Sequence, residues 1–328
     1  MADTEKKKSY NNPFQAIWTG IRDLYKKQKP SVILDTNARL DGVAIMITGA
    51  STGLGLATAR NLAARGARVI TCQRKSSDPD LNSYSVDLSD FTSIDQLIER
   101  LIDEHVKIDL FINNAAMVPS KSRKTRQGLE EMFMVNYLSA FYLMNKLVVN
   151  EIIKNDETSD TGIIIVSSES HRNPNSFEWE SFGKYLDYGM NNTVSRYGLF
   201  KLYLTTFANE LARRLNSSQV MVPVRVLCPG PVNSEIAREA PALFKPLLKL
   251  VFGVFFKSPD KACEPVVYFA TESKKNNKAI DYLFLMNRKS MDENATDLKN
   301  GKELWKRSEE LIRIIHDNKF QTLASRSS

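Results

Sequence analysis

The sequence predicts an α/β protein built as a doubly wound parallel sheet of seven strands with helices on both faces, a three-layer α/β/α arrangement. Three observations carry that expectation. From Gly42 onward, short β-branched or apolar runs alternate with longer helical patterns, as strand and crossover do in a parallel sheet. A glycine-rich turn stands between the first such run and the helix that follows it. The strongly polar breaks, 154–161 and 273–278, have the length of loops rather than of domain linkers, so the alternation belongs to one core.

The elements follow in order. Strands are expected over 43–47, 68–72, 83–86, 109–112, 162–166, 224–227 and 282–285, with crossovers long enough for parallel pairing. Ile94, Leu97, Ile98, Leu101 and Ile102 recur at helical spacing behind the capping candidates Ser89 and Asp90. Residues 1–40 lack strand alternation and read as an appended arm, in which Phe14, Ile17, Trp18, Ile21, Leu24 and Tyr25 form one face of an amphipathic helix. A second amphipathic helix, over 303–315, carries Leu304, Trp305, Ser308, Leu311 and Ile312 on one side. The expected division is therefore an arm over 1–40, a central domain over 41–290 and a helical extension over 291–328.

A chain of 328 residues suits one large core with appendages, and its 42% hydrophobic and 25% charged content is that of an ordinary globular protein. The net charge of +7 comes partly from Lys6, Lys7, Lys8, Lys26, Lys27 and Lys29. No aromatic-basic recognition motif accompanies those runs, which argues against nucleic acid; an anionic cofactor or a membrane surface fits the charge better. Cys72, Cys228 and Cys263 form no Cys-x-x-Cys pair, and His105, His171 and His316 are scattered, so neither disulfides nor a metal site is expected. The polar start of the chain does not resemble a secretory signal, and no apolar run reaches the roughly 18 to 20 residues of a spanning helix. The most apolar window, 243–256, is interrupted by Lys245, Pro246 and Lys249. A cytoplasmic protein is expected, with peripheral membrane contact through the arm as a second reading.

The segment Thr48-Gly49-Ala50-Ser51-Thr52-Gly53-Leu54-Gly55 follows the first strand and opens a helix. Glycines there permit a tight turn and let backbone amides approach a pyrophosphate at the positive end of the helix. With its Gly-x-x-x-Gly-x-Gly spacing, the sequence resembles the short-chain dehydrogenase/reductase family over residues 41–290. That resemblance implies a Rossmann-type, NAD(P)-binding domain and oxidoreductase activity. In such folds an acidic residue ending the second strand accepts from the ribose of NAD. Here Gln73 holds that position and Arg74 follows, and a guanidinium pairs well with a phosphate. NADP(H) is favoured on this ground, with Arg74, Lys75 and Ser51 around the 2'-phosphate; NAD(H), with Arg74 on a merely exposed turn, is the alternative. Further cofactor contacts are implied for Asp87 and Leu88, for Asn113 and Ala115 in Asn113-Asn114-Ala115-Ala116, and for Pro229, Gly230, Val232 and Ser234. Ala116 replaces the family's usual glycine, and Ser234 its threonine.

Tyr197 and Lys201, four residues apart, share one face of a helix. A phenol of ordinary pKa near 10 is a poor base at neutrality, and a neighbouring ammonium together with an oxidised, positively charged nicotinamide is expected to bring it down. Upstream, the strand 162–166 ends at Ser167-Ser168 at the carboxyl edge of the sheet; Ser168 is assigned to hold the substrate oxygen, with Ser167 as the alternative. The family resemblance adds a proton-relay role for Asn136 and a ribose contact for Lys201, and completes the catalytic set Asn136, Ser168, Tyr197 and Lys201. It implies interconversion of a carbonyl and an alcohol on a small-molecule substrate.

Between Ser168 and Tyr197 lies an insertion with Phe177, Trp179, Phe182, Tyr185 and Tyr188, and 241–256 is a second variable apolar segment; both are expected to form a hydrophobic substrate pocket or its lid. The runs 167–172, 256–259 and 304–309 resemble the branch that holds retinol dehydrogenases and the WW-domain oxidoreductase, which is associated with retinoids, steroids and lipid aldehydes. His171 reads as a structural residue of the loop. The family also implies dimers or tetramers, and the C-terminal extension would block one interface. Two alternatives stand beside the enzyme reading: a cofactor-binding scaffold without turnover, and a protein whose main task is docking on a membrane.

Overall fold

The computed structural model describes residues 30–75, 78–153, 161–216, 222–230, 258–272 and 279–324, the side chains of 190, 191 and 318–324 excepted. Most of the N-terminal arm, with its expected amphipathic helix, and the apolar segment 241–256 lie outside the described residues, as do Val232 and Ser234.

The strands are β1 (Ala44–Thr48), β2 (Arg68–Gln73), β3 (Asn82–Ser85), β4 (Leu110–Asn113), β5 (Gly162–Val166), β6 (Val224–Cys228), β7 (Ile280–Phe284) and β8 (Asn287–Arg288). They form one sheet in the order β3-β2-β1-β4-β5-β6-β7-β8. The first seven are mutually parallel, and β8 returns antiparallel to β7. The eighth strand departs from the expected seven. It is a two-residue ribbon closed through Leu285 at φ 57°, too short to leave a periodic signal in the sequence.

Parallel strands covered on both faces read as continuous apolar runs, and β1, β5 and β6 are buried along their whole length. Alternate residues serve opposite layers: Met46, Ile163 and Ile165 join one core cluster, whereas Ile45, Ile47, Ile164 and Val166 join the other. Helices α1 (Gly53–Ala64), α5 (Pro259–Ala262) and α6 (Glu264–Thr271) cover the second face. Helices α2 (Phe91–Asp103), α3 (Glu131–Val149) and α4 (Met190–Leu215) cover the first. Asp90 caps α2 by accepting from the Thr92 N–H at 2.9 Å, and Ile94, Leu97, Ile98 and Leu101 are buried. Ile102, at the edge of that stripe, is 43% exposed.

The chain ends in α7 (Glu293–Thr296) and α8 (Leu298–Ala324). Leu304, Trp305 and Ser308 of α8 are buried on this chain's own α3 and α4. Trp305 meets Phe141 at 5.0 Å and Phe207 at 5.8 Å between ring centroids, and the Ser308 and Tyr137 hydroxyls share a hydrogen bond. Because β1 neighbours both β2 and β4, the order of the sheet reverses there and opens a crevice at the carboxyl ends of β1 and β4.

Candidate active site

The cradle at the end of β1 is shaped by backbone. Gly49 and Gly53 adopt φ of 68° and 55°, a region that L side chains avoid. A Cβ on Gly55 would stand 2.2 Å from the Gly49 carbonyl oxygen and 2.5 Å from Asn114 Nδ2, so only glycine fits. The turn is braced from β4: Asn114 Nδ2 donates to the Thr48 and Gly49 carbonyls at 2.9 and 3.0 Å. Thr48 Oγ1 accepts from the N–H groups of Asn114 and Ala115. Asn114 was expected only as a member of its motif; its neighbour Asn113 is buried at the end of β4. Helix α1 starts with no acidic side chain in its first turn and no side chain capping it, which leaves its positive end suited to an anion. In the turn and the start of the helix, Ser51 and Gly53 are half-buried, Thr52 is exposed, and Leu54 is packed into the core.

At the end of β2, Gln73 is buried with its Oε1 lacking a hydrogen-bond partner, and Arg74 and Lys75 are exposed. Past β3, the Asp87 carboxylate accepts from the N–H and hydroxyl of Ser89, and Leu88 is buried. These groups and the glycine cradle line the crevice side of β1 and its neighbours. An orphaned amide oxygen, basic side chains without a partner among the described residues and a backbone cradle fit a dinucleotide. Pro229 and Gly230, the latter at φ 79°, follow β6.

The catalytic candidates converge from three elements. In α3 the helix passes through a π turn, Met134–Leu138, centred on Asn136. Its buried amide is tied at both ends to one residue: Oδ1 accepts from the Met117 N–H and Nδ2 donates to the Met117 carbonyl, each at 2.8 Å. At the end of β5, the two serines differ. Ser167 is buried and shares a 2.6 Å hydrogen bond with Thr205, whereas Ser168 is half-buried, its hydroxyl donating to Ser170 Oγ at 3.1 Å and accepting from the Ser170 N–H at 3.2 Å, near enough to the Tyr197 phenol to favour its ionised form. Geometry thus supports the second serine over the first.

On α4, Lys201 is 1% exposed, donates to the Val166 carbonyl at 3.0 Å and sits 5.7 Å from the centre of the Tyr197 ring. Burial pulls the ammonium down to about 8. Burial also pushes the Tyr197 phenol above its ordinary range, and the Ser168 hydrogen bond offsets this only in part. The expected lowering of the phenol by Lys201 is therefore corrected: the ammonium faces the ring and bonds Val166, and desolvation outweighs it. The chain's own groups keep Tyr197 protonated.

The aromatic insertion also departs from expectation. Phe177 stacks on Trp179 at 4.4 Å and on Tyr203 at 5.4 Å, and Phe182 meets Phe133 edge-on at 5.3 Å. Tyr188 donates to the buried Glu130, and Tyr185 shares a hydrogen bond with Ser122. These rings pin the insertion to α3, α4 and the 120–130 loop instead of standing free as a lid, because a large ring gains most where it is fully surrounded. Sequence reasoning missed Thr48, Met117 and Thr205 as supports; only Thr48 lay within a motif.

Comparison with known proteins agrees with the fold. A family model described as short chain dehydrogenase matches residues 43–179. Retinol dehydrogenase 14 of Mus musculus is 30% identical over 302 residues, covering 84% of this chain and 87% of its own length. Retinol dehydrogenase 12 of Mus musculus is 31% identical over 301 residues, covering 86% and 90%. Among solved structures, the 3-ketoacyl-(acyl-carrier-protein) reductase of Brucella melitensis complexed with NADH superposes with a TM-score of 0.55 at 18% identity, over 75% of this chain and 97% of its own.

Proposed function

Since the chain belongs to the short-chain dehydrogenase family, in its retinol dehydrogenase branch, and is an NAD(P)-dependent oxidoreductase, we propose that it interconverts a carbonyl and an alcohol on a bulky hydrophobic substrate. The substrate class is that of retinoids, steroids or lipid aldehydes, and NADP(H) is the preferred cofactor. The observation that carries the reading is the meeting of Ser168, Tyr197 and buried Lys201 where β5 and α4 approach.

Each residue then has a role. Ser168 and Tyr197 hold the substrate oxygen by their hydroxyls, and Tyr197 gives or takes its proton. The nicotinamide cofactor, when bound, supplies or accepts the hydride. Burial keeps Tyr197 an acid, which suits reduction, and Lys201 contributes positive charge beside it and a ribose contact. Asn136 holds the Met117 backbone, and the π turn around it widens the helix ladder, which supports a relay toward solvent. Thr52, Gly53 and Leu54 cradle the pyrophosphate with Gly49 and Gly55, and Ser51 stands by the 2'-phosphate; Asp87, Leu88, Asn113 and Ala115 border the adenosine. Pro229, Gly230, Val232 and Ser234 form the nicotinamide side. Arg74 and Lys75 take the 2'-phosphate, since no carboxylate stands at Gln73 to repel it. The central domain over 41–290 carries these roles, and 291–328 supports it.

The test is a panel of retinoid, steroid and long-chain aldehyde substrates, with their alcohols, run with NADPH, NADH and the oxidised forms. Turnover of an apolar carbonyl with NADPH at least tenfold better in kcat/KM than with NADH is expected. A preference for NADH contradicts the Arg74 assignment, and turnover confined to small polar carbonyls contradicts the substrate class.

A further inference from the structure

The turn after Ser168, Glu169–Arg172, is held from a distance by the segment that leads into the C-terminal helices. Lys289 Nζ donates to Glu169 at 2.6 Å, Tyr282 donates to the same carboxylate, and Arg172 donates to the Ser290 carbonyl. Asn294 Nδ2 donates to the Asn175 carbonyl at 3.2 Å. Among these contacts one reaches Ser168 itself. His171, fully buried, has Nδ1 2.6 Å from the Ser168 carbonyl, and its Nε2 accepts from the Asp292 N–H at 3.2 Å.

A single tautomer satisfies both bonds. The Asp292 N–H can only donate, so Nε2 is the acceptor and Nδ1 carries the proton that goes to Ser168. Burial holds the ring neutral by pulling it down to about 4, so this arrangement persists across the physiological range. The Ser168 carbonyl also receives the His171 backbone N–H at 3.1 Å, which leaves the serine fixed in an extended conformation as the turn's first residue. The turn in addition presses on the catalytic helix: a Cβ on Gly198, next to Tyr197, would stand 2.9 Å from the Ser170 carbonyl oxygen. A shift of the turn would therefore disturb the spacing of Ser168 and Tyr197 together, and misplacement by about 1 Å can cost on the order of a hundredfold in rate.

We infer that His171 is a positioning residue, which sets the catalytic hydroxyl of Ser168 by bonding its carbonyl and anchors it to the C-terminal segment at Asp292. The inference rests on the proposed role of Ser168. Two substitutions separate the bonds. In His171→Asn the amide nitrogen takes the place of Nδ1 and still reaches Ser168; in His171→Gln the amide lies one bond farther out, keeps Asp292 and loses Ser168. Each is combined with Ser168→Ala, and kcat, KM and the cofactor Kd are measured on the full chain. We expect H171N to keep kcat within about threefold and H171Q to lose about tenfold with cofactor Kd unchanged, and H171Q to add no further loss on top of S168A. Equal losses in H171N and H171Q, or a loss from H171Q that multiplies with that of S168A, overturn the positioning role. Full activity of S168A alone instead overturns the assignment of Ser168, which is a different result.

Discussion

The two halves of the proposed active site are built by different means. The cofactor half, from β1 through α1 to β2, is a backbone construction: Gly49, Gly53 and Gly55 shape it, and Thr48 at the end of β1 locks it to Asn114 after the adjacent β4. The catalytic half is assembled from side chains that come from far apart in the chain. Lys201 bonds Val166, Asn136 bonds Met117, and His171 bonds an N–H 121 residues away. A backbone cradle must be written as a contiguous motif. A side-chain assembly can draw each member from any element the fold brings near, and its energetics depend on burial that only the fold creates.

This contrast can be broken or sharpened experimentally. In the catalytic half, Lys201→Met should lower kcat by about a thousandfold while leaving the glycine cradle intact; steady-state kinetics with fluorescence titration of the cofactor checks both parts. The wild type should reach part of the same loss through pH. The ammonium, pulled down to about 8, is present below that value and lost above it, so kcat for reduction should fall as pH rises through 8. A flat profile between pH 7 and 9 would separate Lys201 from the rate. In the cofactor half, Gly55→Ala should weaken the cofactor by about a hundredfold and destabilise the fold by about 1–3 kcal/mol, because its Cβ collides with the Gly49 carbonyl and backbone must move. Calorimetric binding and a thermal melt measure those effects. The smallest change is expected at the rim: Arg74→Ala should raise KM for NADPH about tenfold and leave NADH nearly unchanged, since one exposed ion pair to phosphate is lost.

Legibility in the sequence followed the same division. Seven strands lay within two residues of their expected bounds, because buried parallel strands advertise themselves as apolar runs between turns. The glycine cradle and the order of Asn136, Ser168, Tyr197 and Lys201 were equally open to reading. What the sequence concealed was environmental. The raised phenol of Tyr197 and the lowered ammonium of Lys201 depend on how deeply α4 is covered, and spacing alone does not report depth. Ser168 was assigned from the sequence with Ser167 as the alternative, and the engagement of Ser167 by Thr205, which favours that assignment, left no trace in the local sequence. Aromatic residues of the insertion suggested a pocket wall by composition, yet their partners Phe133, Tyr203 and Glu130 lie on other elements and draw them inward.

The central claim is that Tyr197 moves the proton while a separate backbone cradle holds the cofactor. It is tested most directly by replacing Tyr197 with Phe and measuring kcat and the cofactor Kd on the same preparation. Loss of at least about a thousandfold in kcat with Kd within about twofold of wild type is the result expected. Turnover retained within about tenfold, or cofactor binding lost together with activity, would contradict it.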